Sequence, residues 1–153
     1  MFEVSLENEF INELSQGSRS WLAKAIGVVI LADGQVDNEE LISLRAAISF
    51  LEDESEIVEL VTAVKSRSKL DLGRIDERMD RAATIYFYLA TVITINGRVT
   101  REEADLFKGI AGKLGLPPEY AKSVLQWASD VMKLNKQRNQ LIKAAKELRP
   151  QYY

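Results

Sequence analysis

The chain has 153 residues, of which 46% are hydrophobic and 28% are charged, and its formal net charge is −3. This size and composition predict an ordinary soluble globular domain with one substantial core. Because the sequence contains neither cysteine nor histidine, it excludes disulfides, thiolate nucleophiles and histidine bases. Any metal bound by side chains must accept oxygen ligands, as calcium and magnesium do.

Apolar residues recur at helical spacing through the first half of the chain. Ser18 is the predicted N-cap of the second helix, and Asp33-Gly34 ends it. Strand is the rival interpretation for residues 28–31 and 92–95, where β-branched residues crowd. The uncharged run over 82–95 is about twice a normal strand and contains no turn, so helix is favoured. Helices are therefore predicted over 3–14, 20–32, 38–51 and 54–66.

The second half of the chain continues the helical pattern. We predict helices over 74–95, 100–114 and 119–148, with a turn at Gly115-Leu-Pro-Pro118 and a stop at Pro150. The last helix changes character midway, because residues 133–140 are almost wholly polar. We expect its first part to pack on the other helices and its second part to extend away or to pack only lightly.

Residues 30–41 and 93–104 read alike at a spacing of 63 residues. Both segments run from an apolar helical stretch into Asp-Gly or Asn-Gly, then valine, a capping residue and a Glu-Glu pair. We infer an internal duplication, with repeat units at about 20–66 and 74–115. The predicted fold is therefore all-α, a single-domain helical bundle of about seven helices over residues 1–153 with an internal pseudo-repeat.

The two repeat turns have the spacing of the back half of a calcium-binding EF-hand loop. Gly34, Val36 and Glu40 match loop positions 6, 8 and 12, whereas positions 1 and 3 fall on Val29 and Leu31. A calcium ion wants about six to eight oxygen ligands, and the side chains of the first turn offer only Asp33, Asp37 and Glu40. These turns are therefore not EF-hands.

The acidic residues of the turns have both a structural and a functional interpretation. Residues 37–40 and 100–103 match capping boxes, in which the cap and the third helical residue satisfy each other's amides. Asp33, in contrast, lies at the predicted end of a helix, where negative charge is disfavoured. Our hypothesis is that Asp33, Glu39 and Glu40 form a weak site for a divalent cation, Ca²⁺ or Mg²⁺, or a docking patch for a partner.

The turn containing Ala32-Asp33-Gly34, Val36 and Glu40, together with Ile110-Ala-Gly-Lys-Leu-Gly-Leu116, resembles the TerB-like family of bacterial helical domains, which is named for tellurite resistance. The resemblance covers roughly residues 21–120 and extends to relatives in the N-terminal part of a membrane-tethered J-domain co-chaperone. It implies a cytoplasmic helical domain in a stress-response or membrane-associated assembly, with no established catalytic activity. It also implies metal-associated positions at Asp33, Glu39, Glu40, Glu102 and Glu103.

The second turn departs from the family pattern. Asn96 stands where an aspartate is expected, and Arg98 and Arg101 place positive charge beside the turn. The resemblance therefore points to the first turn, rather than to a pair of equivalent turns, as the candidate for a cation site.

These observations predict a non-enzymatic interaction module whose partner is another protein or a second copy of the chain. Residues 1–64 carry 13 acidic and 3 basic side chains, whereas residues 65–153 carry 10 acidic and 17 basic ones. Such a split is compatible with association with a charged partner, with head-to-tail pairing of two copies, or with opposite charges that meet within one folded domain. The alternative is a magnesium-dependent enzyme, which would need several carboxylates converging on one cleft.

Other partner classes are not expected. The sequence pI is about 5.2, and no aromatic residue interleaves with the basic residues of the last helix, so we predict no nucleic-acid binding. No apolar run is long enough to insert into a membrane. The N-terminal segment has neither a basic start nor an apolar core, which predicts no signal peptide and a cytoplasmic location.

Overall fold

The computed structural model describes residues 8–32, 36–94 and 98–153, and the regular elements within these ranges are helices without any strand. The all-helical prediction is therefore confirmed. Residues 28–31, for which strand was the rival interpretation, lie within the second helix. In chain order the elements are α1 (Asn8–Glu13), α2 (Gln16–Ala32), α3 (Asn38–Ala47), α4 (Glu54–Lys65), α5 (Met79–Ile93), α6 (Arg101–Lys113) and α7 (Pro118–Ala144), followed by a 3-10 turn at Ala145–Glu147.

Helix α2 occupies the centre of the bundle, where it contacts α3, α4, α5 and α6. Its sequence is apolar on nearly every side, as a helix surrounded by other helices requires. Trp21, Leu22, Ile26 and Val29 are all buried. Burial of each such side chain contributes about 1.5–3 kcal/mol to folding, so this helix anchors the core around which the other elements pack.

Helices α5 and α6 pack together against α2, and the first part of α7 covers both of them. The α7 side chains that are buried in this contact are small or β-branched, namely Ala121, Val124 and Ala128. Phe87 of α5 meets Trp127 of α7 edge to face, with ring centroids 4.9 Å apart and an interplanar angle of 76°. This arrangement is among the favoured geometries for aromatic pairs and fixes α7 on α5.

The helix starts are set by local hydrogen bonds, and one predicted cap is wrong. Ser18 was expected to be the N-cap of α2, but α2 begins at Gln16, and Ser15 Oγ accepts the Ser18 N–H at 3.1 Å. Ser15 is therefore the capping residue. Ser18 lies inside the helix and is buried, and its hydroxyl donates instead to Glu77 Oε2 at 2.7 Å.

Helix α4 begins with a cap of its own at Asp53. The Asp53 carboxylate accepts hydrogen bonds from Ser55 Oγ at 2.6 Å and from the Ser55 N–H at 2.9 Å. The side-chain hydrogen bond from Ser55, followed by the one from its backbone, lowers the pKa of Asp53 below its ordinary value. The carboxylate is thereby held in the ionised form that a helix N-terminus favours.

The segment before α5 differs from the prediction. Residues 74–78 were expected to be helical, but α5 begins only at Met79. Trp21 Nε1 donates to the Gly73 carbonyl at 2.7 Å, and the Ile75 N–H donates to the Lys113 carbonyl at 3.0 Å. These two bonds tie the backbone at Gly73 and Ile75 to α2 and α6, so distant contacts rather than local helix formation set the conformation of this segment.

The duplicated turns themselves fall largely outside the described residues, which exclude Asp33-Gly34 and Asn96-Gly97. The flanking helices occur in the predicted order, since α2 is followed by α3 and α5 by α6, and the two helices of each pair are in contact. The internal duplication stays a prediction.

Candidate functional site

The acidic residues predicted at the first turn lie at the start of α3, apart from Asp33, which falls outside the described residues. Glu39 is exposed in the first helical turn, and Glu40 is half-buried beside it. Asp37 Oδ1 accepts the Glu40 N–H at 2.8 Å, which is the N-cap hydrogen bond predicted for residues 37–40. Glu39 and the N-terminal end of α3 therefore present negative charge to solvent.

The acidic residues predicted at the second turn lie at the start of α6. Thr100 Oγ1 accepts the Glu103 N–H at 3.2 Å, and Glu103 Oε1 accepts the Thr100 N–H, also at 3.2 Å. This reciprocal pair is the predicted capping box. Glu103 is only 3% exposed, whereas Glu102 is exposed. The Glu103 carboxylate thus stabilises the start of the helix.

The acidic residues predicted at the two turns lie on separate helices, with Glu39 and Glu40 on α3 and Glu102 and Glu103 on α6. Within residues 8–32, 36–94 and 98–153, no three or more carboxylate, histidine or cysteine side chains are grouped so that they could hold a metal ion. The cation hypothesis depends on Asp33, which is not among these residues, so it stays a prediction. The magnesium-dependent alternative stays a prediction as well.

A polar network joins the N-terminal helices to α5, and the sequence did not predict it. Arg81 lies between Glu13 Oε2 at 3.3 Å and Glu77 Oε1 at 3.5 Å, and Glu77 also accepts the hydrogen bond from Ser18. The Glu77 carboxylate is therefore held by a hydroxyl and a guanidinium. Because Ser18 and Glu77 are 59 residues apart, no local pattern signals their contact. The network ties the chain before α5 to α2.

The most unusual surface of the described chain is the second half of α7. Every side chain from Lys133 to Ala144 is exposed except half-buried Asn135, whereas the first half of the helix is packed on α5 and α6. This division confirms the prediction that the polar second part extends away or packs only lightly. We call residues 133–149, which include the 3-10 turn, the α7 extension.

Three exposed leucines, which we call the leucine stripe, recur along the α7 extension. Leu134, Leu141 and Leu148 follow one another at intervals of seven residues, and their exposed fractions are 62%, 66% and 72%. A spacing of seven places Leu134 and Leu141 on one face of α7, and Leu148 follows the 3-10 turn on extended backbone. Ile142, also exposed, lies beside the stripe. The seven-residue interval is present in the sequence, but the leucines are surrounded by polar residues, so the interval does not stand out as an apolar pattern.

The α7 extension is also strongly basic. It contains one acidic residue, Glu147, so its net charge is +5. Arg138 lies between Leu134 and Leu141 along the helix, at the four- and three-residue spacings that share a face. The extension therefore combines exposed leucines with positive charge on the same face. Its basic residues are Lys133, Lys136, Arg138, Lys143, Lys146 and Arg149.

A surface of the opposite charge lies on α3 and α4, which pack against each other. We call residues 38–65 the α3–α4 hairpin. It contains two basic residues, Arg45 and Lys65, and its net charge is −5. Two exposed apolar side chains interrupt this acidic surface, Ile42 on α3 at 70% and Val58 on α4 at 47%. The seven acidic residues of the hairpin are Glu39, Glu40, Glu52, Asp53, Glu54, Glu56 and Glu59.

None of the described helices combines the length and the apolar character that crossing a bilayer requires. Comparison with protein-family models, with curated proteins and with solved structures found no match for this chain.

Proposed function

We propose that this chain is a non-enzymatic helical interaction module and that the α7 extension is its contact surface. The single observation that carries the proposal is the exposure of Leu134 and Leu141 on one face of α7, with exposed Leu148 following the helix. Exposed leucines are common singly, but leucines that share one face of an otherwise polar helix are typical of a helix that docks on a partner.

Energetics favour the same function. Each exposed leucine leaves unused about 1.5–3 kcal/mol that burial would contribute. The first half of α7 already fixes the helix on the bundle through Val124 and Ala128, so the stripe is not needed to hold α7 in place. A partner that covers the stripe gains this burial without rearranging the core.

The cellular setting of this function follows from the resemblance to the TerB-like family. That resemblance supports a cytoplasmic role in a bacterial stress-response or membrane-associated assembly. The hypothesis of a weak divalent-cation site at Asp33, Glu39 and Glu40 belongs to the same proposal. Titration calorimetry with calcium and with magnesium tests it, and the absence of heat at millimolar metal would end it.

Site-specific photo-crosslinking tests the contact surface. A photoreactive amino acid replaces Leu141 in the intact chain, and the protein is irradiated in a lysate of its source organism. A matched control carries the same group at Lys122, which is exposed on the packed half of α7. We expect defined cross-linked products from position 141 and few from position 122. Equal, diffuse labelling at both positions, or none at position 141, would contradict the proposal.

A further inference from the structure

We infer that the α7 extension of one copy docks on the α3–α4 hairpin of a second copy, so that the chain assembles with itself through two unlike surfaces. This inference rests on the proposed function, because it names the partner of the same contact surface. Three observations lead to it, concerning the charges of the two surfaces, their apolar residues and the position of the extension relative to its own bundle.

The charges of the two surfaces are complementary. The α7 extension has a net charge of +5 and the α3–α4 hairpin one of −5. Two extensions would repel each other, and so would two hairpins, whereas an extension and a hairpin attract. Within the hairpin, Glu52 and Glu54 already form ion pairs with Arg19 and Arg45. Exposed Glu39 and Glu59 lie on the outer faces of α3 and α4, where incoming basic side chains can reach them.

The apolar residues of the hairpin suit a docked helix. On α3, exposed Ile42 has exposed Ala46 four residues after it, at a spacing that brings side chains together. On α4, exposed Val58 has Ser55 three residues before it and Thr62 four residues after it, both exposed. Small neighbours leave room for leucine side chains to approach Ile42 and Val58, as in helix-in-groove recognition. These exposed small neighbours are Ala46 on α3, and Ser55 and Thr62 on α4, whereas Glu39 and Arg45 lie three residues from Ile42.

The contact must form between copies. The leucines of the extension are 62–72% exposed, so they are not covered by their own bundle. Helix α7 continues without interruption from Pro118 to Ala144, so the extension is carried outward in line with the packed half. A surface that is presented in this way is reached by a second molecule rather than by its own hairpin.

The expected contact is weak and sensitive to salt. One face of a helix of this length buries less than the roughly 800 Å² per partner of a standard interface. Attraction between exposed charges is screened when the Debye length falls from about 10 Å at 0.1 M salt to about 3 Å at 1 M. We therefore expect the dissociation constant to rise by at least about tenfold over that range of salt.

Sedimentation equilibrium of purified variants tests the pairing of unlike surfaces. The extension variant carries Leu141→Asp, and the hairpin variant carries Val58→Lys with Glu59→Lys. All three positions are exposed, so circular dichroism and melting temperature should match those of the wild type. The control variant, Lys122→Glu, changes charge on the packed half of α7. We expect the wild type and the control to associate at low salt and each test variant alone to remain monomeric.

The decisive sample is an equimolar mixture of the two test variants. The extension variant retains an intact hairpin, and the hairpin variant retains an intact extension, so the mixture should form a complex that neither forms alone. A mixture that stays monomeric would overturn the inference. So would a wild type that is monomeric at every concentration, or association that the hairpin variant retains, since that would indicate contact between two extensions.

Failure of this inference can be told apart from failure of the proposed function. Cross-linking from position 141 to residues 38–65 of a second copy supports both. Cross-linking to a different protein, or binding of the extension to vesicles containing phosphatidylserine without self-association, overturns the second copy as partner and leaves the contact surface standing. No cross-link and no self-association would overturn both.

Discussion

The phenol hydroxyl of Tyr86 on α5 donates a hydrogen bond of 2.8 Å to the main-chain carbonyl of Phe107 on α6, and the two rings stack with centroids 4.0 Å apart. Both side chains are fully buried. The ring contact supplies apolar burial, and the hydroxyl finds the partner that a buried tyrosine requires. This pair therefore fixes the separation of the two helices that support α7.

Replacing Tyr86 with phenylalanine removes the hydrogen bond and keeps the ring. We expect the free energy of unfolding to fall by about 0.5–1.5 kcal/mol, the usual net contribution of one hydrogen bond. Urea unfolding at neutral pH measures the change. Tyr152→Phe is the control, since Tyr152 is exposed. Equal stability of Tyr86→Phe and wild type would show that the hydroxyl gains nothing from its partner.

Because Tyr86 is buried, we also expect the free energy of unfolding to fall at alkaline pH. Burial raises the pKa of Tyr86 well above the ordinary tyrosine value of 10.0, so the folded state holds the proton more tightly than the unfolded state does. This contribution is complete below about pH 10 and is lost as pH rises from there toward the raised folded value. The stability difference between wild type and Tyr86→Phe should therefore shrink above pH 10. A difference that is constant with pH would contradict the burial argument.

The capping box at the start of α6 makes a prediction about Thr100. Replacing Thr100 with alanine removes the oxygen that accepts the Glu103 N–H, and we expect a loss of about 0.5–2 kcal/mol in the free energy of unfolding. Thr100→Ser is the matched control, because serine keeps the hydroxyl and is an equally good cap. Thermal or urea unfolding of the three chains measures the effect, and an alanine variant as stable as the serine variant would rule out the cap.

Gly27 lies where α2 packs closely against α4 and Leu70. A Cβ atom there would lie 3.3 Å from carbons of both Leu60 and Val64 on α4, and 3.1 Å from one of Leu70. We expect Gly27→Val to destabilise the fold by about 1–3 kcal/mol through overpacking. Gly109→Ala in α6 should instead stabilise it by about 0.5–1 kcal/mol, because nothing lies within 4 Å of the added methyl group. Opposite signs in unfolding experiments are the expected result.

The features predicted correctly from the sequence are those set by local patterns. Apolar residues at helical spacing identified the helices, and the caps at Asp37 and Thr100 followed from motifs that span four residues. The division of α7 followed from its change to polar residues after Met132. Each of these features depends on neighbours within one or two turns of helix, which is the range that a single sequence displays.

The features that the sequence did not predict depend on distant contacts. Serine is a favourable N-cap residue, but the Ser18 hydroxyl donates to Glu77, and Ser15 caps the helix instead. Residues 74–78 were expected to belong to the helix that follows, but Trp21 donates to the Gly73 carbonyl and the Ile75 N–H donates to the Lys113 carbonyl, which holds that backbone in another conformation. For the candidate site, the sequence predicted the capping box of Glu103, but not the contacts of Ser18 with Glu77 and of Glu13 with Arg81, which join residues 59 and 68 positions apart.

Hydrogen–deuterium exchange along α7 tests most directly the central claim that the α7 extension is a surface awaiting a partner. In dilute protein at high salt, amides of 137–144 should exchange faster than those of 121–132, because the packed half is held by buried contacts and the exposed end of the helix is not. Their protection should rise as protein concentration is raised and salt is lowered. Equal protection of both halves in dilute protein, or exchange of 137–144 that is unaffected by concentration, would contradict the account.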